Sequence, residues 1–329
     1  MAETAGGRAA RAACGLLDHP VRIRIALPLL IVLVALPLVA QILGADYYTG
    51  VVSRILIFAL AASSLNLIVG FGGMVSFGHA AFFGVGAYAV GILMQYGVTS
   101  AWISWPAAIV AGAAFALVIG AISLRTRGVY FIMITLAFAQ MVFYLMVSLK
   151  AWGGEDGITL ASRSRVGLGV DLASDTQFYY AVLLVSALAF IVMARLLNAR
   201  FGHVLQAIHE NETRTAALGF PVYRYKLIGF TIAGAVAGLA GALLANQTSF
   251  VSPALLDWQQ SGIFLIMIIL GGVGHLYGGL IGAVVFLLIQ EIASSYTIYW
   301  QFILGAVLLA VVLFAPNGVM SMLQRRARA

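Results

Sequence analysis

Charge is scarce in this sequence. Asp, Glu, Lys and Arg make up 9% of 329 residues, and long stretches carry none of them. Cysteine occurs once, at Cys14, so neither an intrachain disulfide nor a cysteine metal site is available. The only lysines are Lys150 and Lys226, and neither follows a glycine loop. The phosphate-cradling pattern G-x-x-x-x-G-K-[ST] is missing, which excludes a P-loop ATPase. Only five histidines are present, and no cysteine or acid accompanies them at ligand spacing, so no metal site is expected.

What fills the chain instead is apolar. Hydrophobic residues are 63% of the total and mean hydropathy is +1.04. Soluble domains run at roughly 45–50%. The pattern implies an all-α polytopic membrane protein, because in lipid only helices and closed barrels satisfy every backbone polar group. About ten transmembrane helices are predicted, at 25–44, 51–69, 79–96, 102–122, 129–148, 177–197, 227–245, 260–275, 279–295 and 298–315. The first run, Ile25–Leu43, exceeds the ~7–15 apolar residues of a signal peptide and is expected to be retained. The third, eighth and ninth spans are short and interrupted by glycine.

An even number of spans puts both termini on one side. Cytoplasmic loops are enriched in Lys and Arg. If the N-terminus is cytoplasmic, only Lys150, Arg163 and Arg165 of the 18 basic residues fall outside, with Arg54 at the edge of the second span. The net charge of +7 and pI of 9.7 therefore reflect topology and give no argument for nucleic acid. The organisation expected is a cytoplasmic tail (1–24), a membrane domain (25–315) and a basic cytoplasmic tail (316–329). Within the membrane domain, loop 149–176 is expected outside and segment 198–225 in the cytoplasm.

Segment 198–225 reads "NARFGHVLQAIHENETRTAALGFPVYRY". Val204, Leu205 and Ile208 share a helical face. Asn211 suits the N-cap of a second short helix, with Glu212 in its first turn against the helix dipole. Gly219 and Pro221 form a stop signal. Two readings fit: an interfacial helix that anchors its neighbours, or a docking surface for a soluble partner.

Glycines recur where a helix can least afford them, as in "GFGGMVSFGHAAFFGVGAY" from Gly70 to Tyr88. Gly84, Gly86, Gly234-x-x-x-Gly238 and Gly274-x-x-x-Gly278-x-x-x-Gly282 have the spacing that lets helices approach closely in lipid. Gly72 and Gly73 are expected to break the chain after the second span, with Ser76 or His79 re-satisfying the freed backbone and the third span starting near His79. The polar residues Asn66, Ser76, His79, Gln140 and Asn246 are either satisfied inside the bundle or face a translocation path. His275 carries the same ambiguity. An ion-coupled carrier normally keeps an ionisable group in the membrane, and only Arg54 and Glu291 approach that, both toward span ends.

The stretches "LNLIVGFGGMVSFGHAAFFGVGAY", "RGVYFIMITLAFAQM", "AIHENETRTAALGFPVYRYKLIGFTIAGAVAGLAGAL" and "LGGVGHLYGGLIGA" together resemble permease subunits of branched-chain amino acid ABC importers, more narrowly the M-type subunit. The resemblance runs from about Leu56 to Pro316. It implies a type II-like importer permease in a bacterial inner membrane, paired with an H-type permease, driven by two cytoplasmic ATPases and supplied by a periplasmic binding protein. ATP and Mg would sit on the ATPases and no cofactor on this chain. Similar permeases handle urea, short amides or aromatic acids. Carried onto this chain, the residues meeting the ATPase would be Glu210, Asn211, Glu212, Arg214, Ala216, Ala217, Leu218 and Gly219, with Glu210 and Glu212 pairing with basic groups of the partner.

The charge asymmetry generates a topology prediction. In intact cells, an impermeant thiol reagent should modify a cysteine placed at Thr159 and leave Cys14 unmodified. Labelling of Cys14 would overturn the cytoplasmic N-terminus.

Overall fold

The computed structural model describes residues 31–37, 47–167, 172, 174–314 and 318. The predicted tails 1–24 and 316–329, apart from Gly318, and most of the first predicted span lie outside the described residues. Helix α1 is described over 31–37. It is followed by α2 (Tyr47–Val69), α3 (His79–Gln95), α4 (Ala101–Ser123), α5 (Val129–Ser148) and α6 (Asp175–Asn198). Then come α7 (Arg200–Glu210), α8 (Glu212–Ala217), α9 (Val222–Thr248), α10 (Trp258–Gly271), α11 (Gly278–Tyr296) and α12 (Trp300–Phe314). Six of these, α2, α4, α5, α6, α9 and α11, are long and apolar enough to cross a membrane. Helices α3, α10 and α12 are apolar but shorter. The chain is thus an all-α polytopic membrane protein.

Helix α9 is the centre of the bundle. Its stripe of Ala233, Gly234, Ala237, Gly238, Ala240 and Gly241 is fully buried or nearly so. A methyl group on Gly86 of α3 would collide with the Gly238 backbone, and one on Gly241 would collide with the Phe83 carbonyl. On its other side, α9 lies as close to α4: a methyl on Gly234 would strike Ala116, and one on Gly238 would reach the Ala108 carbonyl. Lipid offers no hydrophobic drive for helices to associate, so this close van der Waals contact is what holds α3, α9 and α4 together. Aromatic rings close the inner gaps, with Phe82 edge-on to Phe230 at 5.4 Å and Phe83 edge-on to Phe264 at 5.2 Å.

Helices α3 and α10 are short because the chain reaches them through non-helical segments packed against the bundle. After α2 the backbone leaves the helix at Gly70, turns through Gly73 (φ 66°) and resumes at His79. The Ser76 hydroxyl accepts from Gly78 N at 3.1 Å, and the Thr135 hydroxyl accepts from Phe77 N at 3.3 Å. The first turn of α3 is completed from elsewhere, with Ala80 N donating to Ser261 Oγ at 2.9 Å. A second such segment follows α9. Phe250–Val251 pairs antiparallel with Ile158–Thr159, and a 3-10 turn at Pro253–Leu256 then packs against α3. Val251 and Leu256 are fully buried. Backbone without helical hydrogen bonds needs partners within the protein, and α3, α5 and α9 pack around this segment.

Two glycine expectations need correction. Gly84 does not admit a spanning helix; it faces Leu255 and Leu256 of the 3-10 turn. Gly274 lies in the turn between α10 and α11 with φ of 77°, a left-handed conformation outside any helix. Its spacing to Gly278 and Gly282 arises because a tight turn and a helix start follow one another. Gly282 does mediate close packing, against the Met267 carbonyl of α10.

Gly86→Leu should force α3 off α9. Overpacking costs ~1–3 kcal/mol in ordinary cores, and here the obstructing atoms are backbone. The expected outcome is a lowered melting temperature and loss of monodisperse protein in detergent. An unchanged melting curve would overturn the close-contact account.

Candidate functional site

The segment between α6 and α9 is polar and is the best defined candidate. Helix α6 stops at Asn198, and Ala199 in an extended conformation (φ −80°, ψ 167°) redirects the chain. Helix α7 then buries one face, through Gly202, Leu205, Gln206 and Ile208. Phe201 stacks on Tyr225 at 5.6 Å and holds α7 to the start of α9. At Asn211 the backbone is again extended, and the side-chain oxygen accepts from Arg214 N at 2.9 Å. This is the N-cap of α8, as the sequence reading expected. Gly219 has φ of 89°, a conformation that most side chains resist, and it ends the short helix before Pro221.

The resulting ridge is exposed. Glu210, Asn211, Arg214, Ala216, Ala217, Leu218 and Gly219 all face outward. Leu218 is 72% exposed, and Phe220 beside it is also exposed. Glu212 is different. Its carboxylate accepts from Lys226 Nζ at 2.8 Å and lies 3.3 Å from Arg127 Nη2. Glu212 thus clips α8 to α9 and to the loop between α4 and α5. The two contacts differ in weight. Arg127 has a side chain 79% exposed, and such pairs contribute ~0–1 kcal/mol. Lys226 is 16% exposed and hydrogen-bonded, so it dominates. Lys226 and Arg127 were missed because a charge pair across a turn leaves no periodic signal. Lys226 could have been suspected as the sole lysine beside an acid-bearing turn.

This clipped segment touches the broken backbone. A side chain at Gly73 would run into the His209 ring at the end of α7. The second glycine turn meets the first at the same end of the bundle. Asn66 of α2 donates through Nδ2 to the His275 carbonyl at 2.8 Å and accepts from Gly274 N through Oδ1 at 3.1 Å.

The other polar candidates do not converge on one cavity. His79 Nε2 is 2.8 Å from Ser64 Oγ, and its ring is edge-on to Phe82 and Phe264. Gln140 donates to Asp257 Oδ1 at 2.9 Å, tying α5 to the residue before α10. Asn246 accepts from Ser164 N at 2.7 Å and donates to the Ala242 carbonyl at 2.8 Å. Ser76 caps its own turn, as described above. Among the described residues no cluster of three or more His, Cys, Asp or Glu side chains is placed to hold a metal.

Residues 47–312, comprising the whole bundle from α2 to α12, match the family described as branched-chain amino acid transport system / permease component. The chain belongs to this family. The permease is 28% identical to the high-affinity branched-chain amino acid transport system permease protein LivM of Salmonella typhimurium, covering 89% of this chain and 74% of that protein. It is 24% identical to the corresponding LivH protein of Escherichia coli, covering 80% of this chain and 91% of that one. A probable branched-chain amino acid transport permease protein LivM from Methanocaldococcus jannaschii is 25% identical, covering 76% and 82%. No solved structure matches the permease. Family membership makes it a membrane-spanning transport subunit and not an enzyme.

The clip generates a double-mutant prediction. Glu212→Gln and Lys226→Met should each destabilise the permease by about 1.5 kcal/mol, the scale of a charged hydrogen bond. The double variant should cost less than the sum. Melting temperatures in detergent read the coupling, and strict additivity would overturn it.

Proposed function

We propose that the permease is the M-type membrane subunit of an ATP-driven importer of branched-chain amino acids. In this reading it pairs with an H-type permease and receives solute from a periplasmic binding protein. Two cytoplasmic ATPases bind ATP and Mg, and one of them docks on the α7–α8 ridge. The chain crosses a bacterial inner membrane about ten times, with both termini and the ridge in the cytoplasm and loop 149–176 outside. The names of the relatives support the solute class.

The observation that carries the docking assignment is the ridge itself. It presents an exposed leucine and an exposed phenylalanine on a polar segment, which supports a docking role there. It is capped at Asn211 and clipped at Glu212, so it is ordered before any partner arrives. Its base abuts Gly73 in the broken segment, which gives a force on the ridge a route into the bundle. Glu210 and Leu218 remain free to meet the partner, whereas Glu212 holds the ridge in shape.

Reconstitution with the cognate partners tests this. Labelled leucine, isoleucine and valine should enter proteoliposomes only with ATP and binding protein, and urea, short amides and aromatic acids should not. Glu210→Arg combined with Leu218→Asp should abolish ATPase co-purification and lower leucine uptake at least tenfold, while the permease still purifies with its H-type partner. Normal uptake and co-purification in that variant would reduce the ridge to a membrane anchor.

A further inference from the structure

Three helices meet at the end of the bundle opposite the ridge. Residues Tyr47, Gly50, Val51 and Arg54 near the start of α2, Gln247 near the end of α9, and Leu287, Gln290 and Glu291 near the end of α11 line one cavity. Its volume is about 220 Å³. At ~30 Å³ per water this equals roughly seven water molecules, the scale of one small solute. Arg54 and Glu291, the two charges expected toward the ends of predicted spans and distant in sequence, line the same cavity. Arg54 lies seven residues into α2, about 10 Å along its axis, and Glu291 five residues before the end of α11. Charges at such positions are expensive unless they face a cavity or a partner.

Each charge is held in place, yet they are not ion-paired to each other. The Arg54 guanidinium lies over the Phe58 ring, 5.6 Å from its centre. The Glu291 carboxylate accepts from the Tyr47 hydroxyl. Gln247 donates through Nε2 to the Gly50 carbonyl at 2.7 Å, which fixes the orientation of its amide, and leaves Oε1 buried without a partner. A buried acceptor left unsatisfied costs about 1–3 kcal/mol, so a donor beside Gln247 Oε1 would be favoured there. The wall thus offers one cation, one anion, one unused acceptor and an apolar patch from Val51 and Leu287.

We propose that this cavity is a transit subsite for a zwitterionic amino acid with an apolar side chain. The Arg54 guanidinium takes the α-carboxylate, and Glu291 with Gln247 Oε1 takes the α-ammonium. Val51 and Leu287 contact the branched side chain. The inference rests on the importer reading for its solute and on that reading's orientation, which puts the cavity on the outer side where solute is released. An opposed pair of charges does not fit a simple anion or cation, because one member of the pair would be repelled. Phosphatidylethanolamine carries the same two charges, so the test separates free solute from lipid headgroup.

The test uses the assembled transporter without its binding protein, in nanodiscs made with or without phosphatidylethanolamine. Saturation-transfer NMR with L-leucine reads binding. Leucine should bind in both lipid mixtures and be displaced by valine, but not by isoamylamine or isocaproate, which each lack one charge. Arg54→Gln and Glu291→Gln should each weaken binding at least tenfold, and Arg54→Lys should restore it to within a few-fold. Absence of leucine binding in a transporter that carries leucine when its binding protein is present would overturn the subsite and leave the importer reading intact. Binding lost whenever phosphatidylethanolamine is present would assign the cavity to lipid, also overturning it. If the wild-type assembly carries no leucine at all, the importer reading itself fails.

Discussion

The Asn66 side chain joins two interruptions that neither helix could stabilise alone. In lipid every freed N–H and C=O must find a partner within the protein. Helix α2 ends at Val69, and the turn between α10 and α11 has a left-handed glycine at its centre. One amide serves this turn from both ends, accepting from Gly274 N and donating to the His275 carbonyl. With the second turn held against α2, the backbone of Gly70 lies against Gly274 so closely that no side chain fits between them. The short lengths of α3 and α10 follow from having such enclosed turns beside them.

Close approach around α9 is the counterpart of this constraint. Small residues bring α3 and α4 within backbone contact of one helix, and the absent side chain at Gly84 leaves room for Pro253–Leu256 to lie against α3. The same packing accounts for the fate of the buried polar side chains. Gln140, Asn246 and His79 each find a neighbour on another element or on a preceding turn, so they fasten the bundle internally.

Much of this was readable from residue order. The apolar runs located α2 to α6 within a few residues. Glycines and a serine marked the break before His79, and Asn211 with Gly219 bracketed a short helix. These features are local: each depends on the propensity or backbone freedom of residues a few positions apart. What escaped was set by contacts across the fold. Pro253–Leu256 enters the bundle because α3 has no side chain at Gly84, which no reading of residues 249–257 alone discloses. Gly274 mimics a packing motif because spacing does not distinguish a helix from a turn followed by a helix. The internal partner of Glu212 was missed because its lysine lies 14 residues away across a turn. Arg54 and Glu291 were read as two isolated charges at span ends, and only the fold brings them to one wall.

Helix α9 has a mechanical consequence. It runs unbroken for 27 residues without an internal proline, starting beside the Glu212–Lys226 contact and ending beside Gln247. At ~1.5 Å per residue this is a rod of about 40 Å. A hydrogen-bonded helix resists shortening, so displacement of the end beside Lys226 reaches the far end as tilt about whatever grips its middle. The grip is the glycine contact with α3 and α4, where smooth backbone surfaces meet with few side-chain teeth to lock a fixed angle. A tilt of about 5° on an arm of roughly 20 Å moves the tip by nearly 2 Å. Such a movement at Gln247 is comparable to the difference between a formed and a broken hydrogen bond. The small residues that bring the helices together thus also form a bearing.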